Sequence, residues 1–197
     1  MRLILASSSP FRQMLLAKLQ LPFEAQAPEI DEQPQANEPP ESLVMRLGSE
    51  KANAIARVNP DAWVIGSDQV AFHRGQIIGK PGSRAAAIEQ LLSFSGQTVN
   101  FYTSVVLVSH VNNIEKTAID VTAVKFRKLT RQQVTYYIDT EQPLGCAGSF
   151  KSEGLGVALF DSIHTEDPNA LIGLPLIKLV QLMTTAGIDP LCPKANA

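Results

Sequence analysis

The stretch "RLILASSSPFRQMLLAKL", residues 2–19, decides the fold class. The apolar residues at 3–6 predict a short buried strand. Ser9 and Pro10 are typical of the cap and the first position of a helix. Leu15, Leu16 and Leu19 then recur with helical spacing. A buried strand that leads through a serine loop directly into a helix indicates an α/β protein.

The rest of the chain continues this mixture of strands and helices. Residues 98–109 and 114–126 predict a long hairpin that turns at Asn112-Asn113, and a shorter hairpin is expected around residues 73–75. Further strands are predicted at 62–66 and in the strand-like run 155–160, and helices at 41–57, at 84–94, from 130 onward, and from Pro175 to near Gly187. Together these patterns predict an α/β fold with a mixed sheet and flanking helices.

Composition and charge narrow the class of protein. With 197 residues the chain suits one domain or two lobes that share a core. The formal net charge of −2 argues against a general nucleic-acid binder. Two distant cysteines and three scattered histidines argue against a disulfide framework and a zinc site, so we expect a reduced, cytoplasmic protein. The apolar run at 3–6 is too short for a signal peptide, and no run approaches a membrane span.

The serine loop before the first helix is a candidate anion site. A helix N-terminus presents unpaired N–H groups, serine hydroxyls such as that of Ser7 add donors, and Arg12 can reach back to phosphate oxygens. Strand–serine–helix junctions are also common without any ligand. The pattern alone leaves both interpretations open.

Lys51 lies on the predicted core face of the helix at 41–57, four residues from both Leu47 and Ile55. A lysine in such a position usually extends its ammonium to water. The alternative is that its stem crosses apolar packing and brings the ammonium into a cleft.

Asp68 follows an apolar strand, at the end of the sheet where α/β proteins collect ligands. A carboxylate there is a candidate metal ligand or general base, although aspartate after glycine also serves in turns. Glu32, in an acidic loop, would pair with Asp68 as an oxygen ligand for Mg²⁺ or Mn²⁺. Lys80, in "GKP", supplies a point charge for phosphate. With Arg12 and Lys51, this set suits phosphate chemistry on a triphosphate better than acyl transfer.

The segment "LGCAGSFKSEG", residues 144–154, places Lys151 and Glu153 two apart among small residues. In an extended chain these side chains would share a face. They would form either a weak ion pair on a solvated edge or a pocket wall that offers a cation and an acceptor to a ligand.

Taken in order, the motifs resemble those of the Maf family of nucleoside triphosphate pyrophosphatases over about residues 2–187. The matching segments are "LILASSSPFR", "DE" at 31–32, "EKA" at 50–52, "GSDQV" at 66–70, "GKP" at 79–81, "FYTSV" at 101–105, "CAGSFKSEG" and "GLPL". The "SDQ" and "FKSEG" segments are similar to the branch that acts on 7-methyl-GTP. One departure is Phe11, where close relatives carry tryptophan.

The resemblance implies a Maf/ITPase-like twisted mixed sheet, with two lobes around a central cleft in a single domain over 1–190 and a C-terminal tail at 191–197. It implies a divalent cation, and hydrolysis between the α and β phosphates that clears modified nucleotides before they enter nucleic acids. It also implies that Asp68 accepts the proton and that Phe11, Gln69 and Glu153 tune the choice of base. A carboxylate at Glu153 can accept hydrogen bonds from N1–H and N2–H₂ of guanine.

Two other functions stay open at this point. One is the same reaction on dTTP, UTP or another noncanonical nucleotide. The other is a nucleotide-binding regulator of septum formation. The chain retains charged residues that favour an enzyme over such a regulator, namely Arg12, Lys51, Asp68 and Lys80. We expect a nucleoside triphosphate as the partner, with neither nucleic acid nor membrane, and the sequence leaves a homodimer open.

Overall fold

The computed structural model describes residues 1–192, which form five α-helices and eight strands. The helices are α1 (Pro10–Ala17), α2 (Pro40–Val58), α3 (Arg84–Phe94), α4 (Arg131–Glu141) and α5 (Leu176–Thr185). The strands are β1 (Leu3–Leu5), β2 (Glu24–Ala25), β3 (Trp63–Gly66), β4 (Gln69–His73), β5 (Gln76–Ile78), β6 (Thr98–Ser109), β7 (Ile114–Phe126) and β8 (Phe160–His164). The predicted mixed α/β fold is confirmed.

The chain divides into two compact units. The first unit comprises Met1–Asp68, Thr103–Asp120 and the chain from Asp167 onward. In its sheet β1 runs parallel to both β2 and β3, and β3 runs antiparallel to β6. This combination of parallel and antiparallel pairs gives the mixed sheet that the sequence predicts.

The short strands of the first unit are apolar throughout because both faces of the sheet are covered. Leu3 and Leu5 of β1 point into one core cluster with Leu15 and Leu16 of α1, while Ile4 points into another cluster. In the sequence such strands are continuous runs of apolar residues and do not alternate between apolar and polar residues. In these clusters, β1 packs with α1, and β3 packs with α2.

Two glycines allow α2 to approach β3 closely. A Cβ atom on Gly66 would lie 2.2 Å from the backbone oxygen of Gly48 and 2.8 Å from Cβ of Ala52. A Cβ atom on Gly48 would lie 2.5 Å from Oγ of Ser104. Since neither approach would tolerate a methyl group, these glycines set how close α2 packs to the sheet.

The second unit comprises Gln69–Tyr102 and Val121–Glu166. The predicted hairpin pairs β4 with β5, and its turn uses positive φ at Arg74 and Gly75. Strand β7 pairs with β8 in antiparallel register. An aromatic core of edge-to-face and tilted ring pairs fills this unit, with ring centroids 4.9–5.8 Å apart. Its members are Phe94, Phe101, Phe126, Phe150 and Phe160.

One predicted strand is wrong. Residues Leu155–Leu159 form a 3₁₀ helix, and the strand begins only at Phe160. The backbone turns here because Gly156 lies against the Lys151 carbonyl, where a Cβ atom would come within 2.1 Å of that oxygen. Leu155 and Val157 are exposed, so the apolar run does not mark a buried strand.

The segment before this run also differs from the extended chain considered above, since residues 152–154 form a turn. Strand β2 is an addition to the predicted elements. Of the predicted tail at 191–197, residues 193–197 lie outside the described residues. The extent of the domain over 1–190 stays a prediction, as does the cleft.

Candidate active site

In the first unit, the ammonium of Lys51 contacts two carboxylates. Its Nζ atom lies 2.6 Å from Oδ1 of Asp68 and 2.7 Å from Oε1 of Glu32. The side chains of Lys51 and Asp68 are only 6% and 10% exposed, whereas that of Glu32 is 52% exposed. Of the two interpretations of Lys51, the structure therefore supports the buried ammonium rather than the one that extends to water.

Helix α2 and strand β3 determine this arrangement. Lys51 lies one helical turn from Leu47 and from Ile55, which are both buried, so its stem passes through the packed face of α2. Asp68 follows the end of β3, where the backbone has just left the sheet. The ion pair closes because Gly48 and Gly66 permit the close approach of these two elements.

Ser104 fixes the backbone of Asp68. The Asp68 N–H donates to Oγ of Ser104 at 3.1 Å, and the Ser104 N–H donates to the Asp68 carbonyl at 2.9 Å. The Ser104 hydroxyl in turn donates to the carbonyl of Val44 in α2 at 2.6 Å. Buried hydrogen bonds of this kind hold the Asp68 carboxylate in one position relative to α2.

Arg12 lies in the first turn of α1, whose cap is formed as predicted. The Ser9 hydroxyl accepts a hydrogen bond from the Arg12 N–H, and Pro10 begins the helix. The Nε atom of Arg12 donates to the carbonyl of Gly173 at 2.8 Å. Burial lowers the pKa of the Arg12 guanidinium, and the carboxylates of Asp68 and Glu32 oppose that shift. The two carboxylates that contact Lys51 thus also act electrostatically on Arg12.

The Gly173 carbonyl also accepts a hydrogen bond from the buried Ser67 hydroxyl at 3.0 Å. Gly173 has φ of +130°, a conformation that favours glycine. The turn that carries it is fixed by Asp167, whose buried carboxylate accepts from the N–H groups of Asn169 and Ile177. A turn far along the chain thus determines the direction of the Arg12 side chain.

The other two predicted residues of this unit lie beside Arg12 in the sequence and in the loop–helix junction. Ser7 is buried, and its Oγ atom accepts a hydrogen bond from the Ser9 N–H at 3.1 Å. Its hydroxyl proton is therefore directed elsewhere and can serve as a donor. Phe11 is half-buried in the first turn of α1.

The carboxylates of Glu32 and Asp68, the predicted metal ligands, both contact the Lys51 ammonium. Mg²⁺ and Mn²⁺ take oxygen ligands, with Mg²⁺ often using one or two carboxylates beside substrate phosphates. Within residues 1–192 no group of three or more His, Cys, Asp or Glu side chains is arranged to hold a metal ion. The divalent cation stays a prediction.

In the second unit, the charges of three predicted residues influence the half-buried thiol of Cys146. Burial raises the pKa of that thiol, and the charges of Lys151, Glu153 and Lys80 act on it with their expected signs. Lys80 and Glu153 are exposed. Gln69, the remaining specificity candidate, is half-buried at the start of β4.

The sequence left open an ion pair between Lys151 and Glu153, and the structure does not form it. The Lys151 ammonium donates instead to the backbone carbonyl of Glu141 at 2.6 Å, with Oε2 of Glu141 3.8 Å away. The Glu153 carboxylate contacts the Ser152 hydroxyl at 3.5 Å. Because residues 152–154 turn, the two side chains do not share a strand face.

Four residues that support the site were missed by sequence reasoning: Ser104, Tyr137, Glu141 and Gly173. Each acts through a contact with a residue at least ten positions away in the chain. Gly173 lies in "GLPL" and Ser104 lies in "FYTSV", so each of these two residues belonged to a motif that the sequence offered. Tyr137 and Glu141 are ordinary residues of helix α4.

The fold and these side chains describe an α/β protein with a mixed sheet and a buried cluster of charges. The family model for Maf-like proteins matches residues 2–186. The chain therefore belongs to the Maf-like protein family, as the motifs predicted.

Three relatives show how close the match is. A protein of Xanthomonas oryzae pv. oryzae named 7-methyl-GTP pyrophosphatase is 53% identical, with 94% of this chain and 97% of the relative covered. A protein of Nitrosococcus oceani with the same name is 53% identical over 94% of this chain and 93% of its own length. A protein of Vibrio cholerae with the same name is 50% identical, with 95% of this chain and 97% of the relative covered.

Solved structures show a similar fold at low identity. The Ham1 protein of Staphylococcus aureus superposes with a TM-score of 0.55 at 12% identity, covering 95% of this chain and all of its own. A HAM1 protein of Coxiella burnetii gives 0.52 at 13% identity, covering 95% and 98%. Across residues 1–192, each helix is either too short or too polar to cross a membrane.

Proposed function

We propose that this protein is a nucleoside triphosphate pyrophosphatase that hydrolyses 7-methyl-GTP to 7-methyl-GMP and pyrophosphate in the cytoplasm. One observation carries the proposal. In a chain that shares about half its residues with proteins of that name, Lys51 joins Glu32 and Asp68 in a charge cluster beside Arg12. Such a set suits phosphate chemistry, because it offers cations for the phosphate oxygens and a carboxylate for a proton.

Asp68 is the proposed proton acceptor. Its Oδ1 atom accepts a hydrogen bond from the Lys51 ammonium. Oδ2 can accept a proton from water as the water oxygen bonds to the α-phosphorus. The bond from that phosphorus to the bridging oxygen breaks, and the oxygen leaves with pyrophosphate. Immobilisation by Ser104 keeps the base in place without reorganisation.

Cations would offset the charge of the triphosphate. The Nε atom of Arg12 is engaged by Gly173, which leaves its two Nη groups to chelate phosphate oxygens. Lys51 contributes a point charge, and the Ser7 hydroxyl contributes a donor. Lys80 is assigned to the phosphates on the family resemblance. A divalent cation held by Glu32 and Asp68 would supply further neutralisation of the phosphate oxygens.

Glu153 is the proposed recognition residue for the base. Its carboxylate is exposed and can accept from N1–H and N2–H₂ of guanine. Methylation at N7 places positive charge on the ring, which favours a nearby carboxylate and an aromatic face. Phe11 is assigned to the base on the family resemblance. Gln69 is assigned to base choice on the family resemblance. A homodimer stays a prediction.

The test is pyrophosphate release across a panel of 7-methyl-GTP, GTP, dTTP and UTP, measured as kcat/KM for each. We expect the highest value with 7-methyl-GTP. A preference for dTTP or UTP would assign the protein to the pyrimidine branch instead. Tight nucleotide binding without turnover would favour the regulatory function.

A further inference from the structure

The turn that carries Glu153 is attached to the C-terminal end of helix α4. The Lys151 N–H donates to the Tyr137 hydroxyl at 2.9 Å, and the Lys151 ammonium donates to the Glu141 carbonyl at 2.6 Å. On the other side of the turn, the Leu155 N–H donates to Oε1 of Glu141 at 2.9 Å. The turn is thus held at both of its ends by two residues of one helix.

Two glycines bring this turn into close contact with α4. A Cβ atom on Gly154 would lie 2.8 Å from Oε1 of Glu141. A Cβ atom on Gly156 would lie 3.3 Å from the Tyr137 hydroxyl, as well as within 2.1 Å of the Lys151 carbonyl. The glycines of "KSEGLG" therefore bring the backbone into contact with the anchoring groups.

The anchors also determine which charge the turn presents. Lys151 directs its ammonium to Glu141, so the lysine charge is turned toward α4 rather than toward Glu153. Tyr137 is 2% exposed, and burial raises the pKa of its hydroxyl, which keeps it neutral. The exposed group of the turn is the Glu153 carboxylate, as an acceptor for a base requires.

We propose that Tyr137 and Glu141 are positioning residues that set the nucleobase preference by fixing the turn that carries Glu153. This inference rests on the proposed function and deepens it. Two parallel hydrogen bonds to a base edge need the carboxylate in one place and orientation, and a turn of Ser152 and Gly154 has little stiffness of its own. The helix supplies that stiffness through the two anchored ends.

The experiment compares Tyr137→Phe and Glu141→Ala with wild type, using kcat/KM for 7-methyl-GTP and for UTP. Tyr136→Phe is the matched control, since Tyr136 is the adjacent tyrosine of α4 and is 67% exposed. We expect each anchor variant to lower the 7-methyl-GTP to UTP ratio by roughly 5- to 100-fold, the range of a bidentate base contact. The kcat/KM for UTP should change little, and the control should match wild type.

A double variant separates positioning from general damage. When Glu141→Ala is added to Glu153→Gln, the ratio should fall no further, because the group being positioned has already been changed. An additive further loss, or an equal loss on both nucleotides, would overturn the inference. If Glu141→Ala fails to fold, Glu141→Gln keeps an acceptor for the Leu155 N–H and removes the charge beside Lys151, and a ratio unchanged in both Glu141→Gln and Tyr137→Phe overturns it.

The two proposals fail in distinguishable ways. A wild-type enzyme without preference for 7-methyl-GTP over UTP would remove the proposed function and this inference with it. A selective wild-type enzyme whose selectivity survives both anchor variants would remove the inference alone.

Discussion

The Lys51 ammonium lies 2.6 Å from the Asp68 carboxylate, although the two residues are 17 positions apart and belong to different elements. Both side chains are nearly buried, so neither charge is compensated by water. Removing the Asp68 charge would leave the buried Lys51 ammonium with the more exposed Glu32 carboxylate as its remaining ion-pair partner. This ion pair therefore affects both the stability of the protein and its proposed catalytic chemistry.

Asp68→Asn is expected to lower kcat by about 10²-fold or more, because an amide is a poor base and a poor metal ligand. The measurement is pyrophosphate release from 7-methyl-GTP under saturating substrate. Circular dichroism serves as the control for folding, since asparagine is nearly isosteric. Turnover at the wild-type rate would exclude Asp68 as the proton acceptor.

Removal of divalent cations is expected to abolish hydrolysis, because Glu32 and Asp68 supply only oxygen ligands and those suit hard cations. Dialysis against a chelator followed by titration with Mg²⁺ or Mn²⁺ measures the loss and its recovery. Full activity in excess chelator would remove the cation from the mechanism.

Glu153→Gln is expected to weaken discrimination while leaving the phosphate-binding residues intact. The loss should be about 1–3 kcal/mol of selectivity, the usual value of a good bidentate base contact. It should be largest for 7-methyl-GTP, whose cationic ring also loses its counter-charge, and smaller for GTP. The measurement is kcat/KM for 7-methyl-GTP, GTP and UTP, and an equal drop on all three would place Glu153 at the phosphates instead.

Gly66→Ala is expected to destabilise the fold by about 1–3 kcal/mol, because the added methyl group would overlap the Gly48 carbonyl and force α2 away from β3. Denaturant unfolding measures the change. Gly145→Ala is the matched control, since a Cβ atom there meets nothing within 4 Å. Equal stability of the two variants would show that the close approach of α2 to the sheet is unimportant.

Acid should loosen the loop that precedes α2. Arg46 donates to both oxygens of Glu38 and to the Gln33 carbonyl, and the first contact lowers the pKa of Glu38 to about 2. A carboxyl with a depressed pKa in the folded state stabilises it above its unfolded value of 4.5, and that stability is lost as the pH falls toward 2.

Glu38→Gln should therefore flatten the dependence of unfolding free energy on pH between about 4.5 and 2. The measurement is urea unfolding at several pH values in this window. Glu41→Gln, an exposed acid in the first turn of the same helix, is the control. A pH dependence that is identical in Glu38→Gln and wild type would contradict the assignment.

The sequence by itself determined the secondary elements whose signals are local. Ser9 and Pro10 begin α1, Thr130 and Gln133 form the capping box of α4, and Asn113 adopts the positive φ of the long hairpin turn. Each signal lies within a single residue or between residues at most three positions apart, so it can be recognised in the linear chain. The order of motifs likewise identified the family.

Only the tertiary structure decided how the charged side chains pair. The Lys51 contact with Asp68, the Arg12 contact with Gly173 and the Lys151 contact with Glu141 all depend on how distant segments pack. Spacing in the sequence left the partner of Lys151 open, and the structure pairs it with Glu141 because residues 152–154 form a turn. A hydrogen bond requires that two atoms lie about 3 Å apart in space. Local sequence patterns do not contain the packing that brings remote residues to this distance.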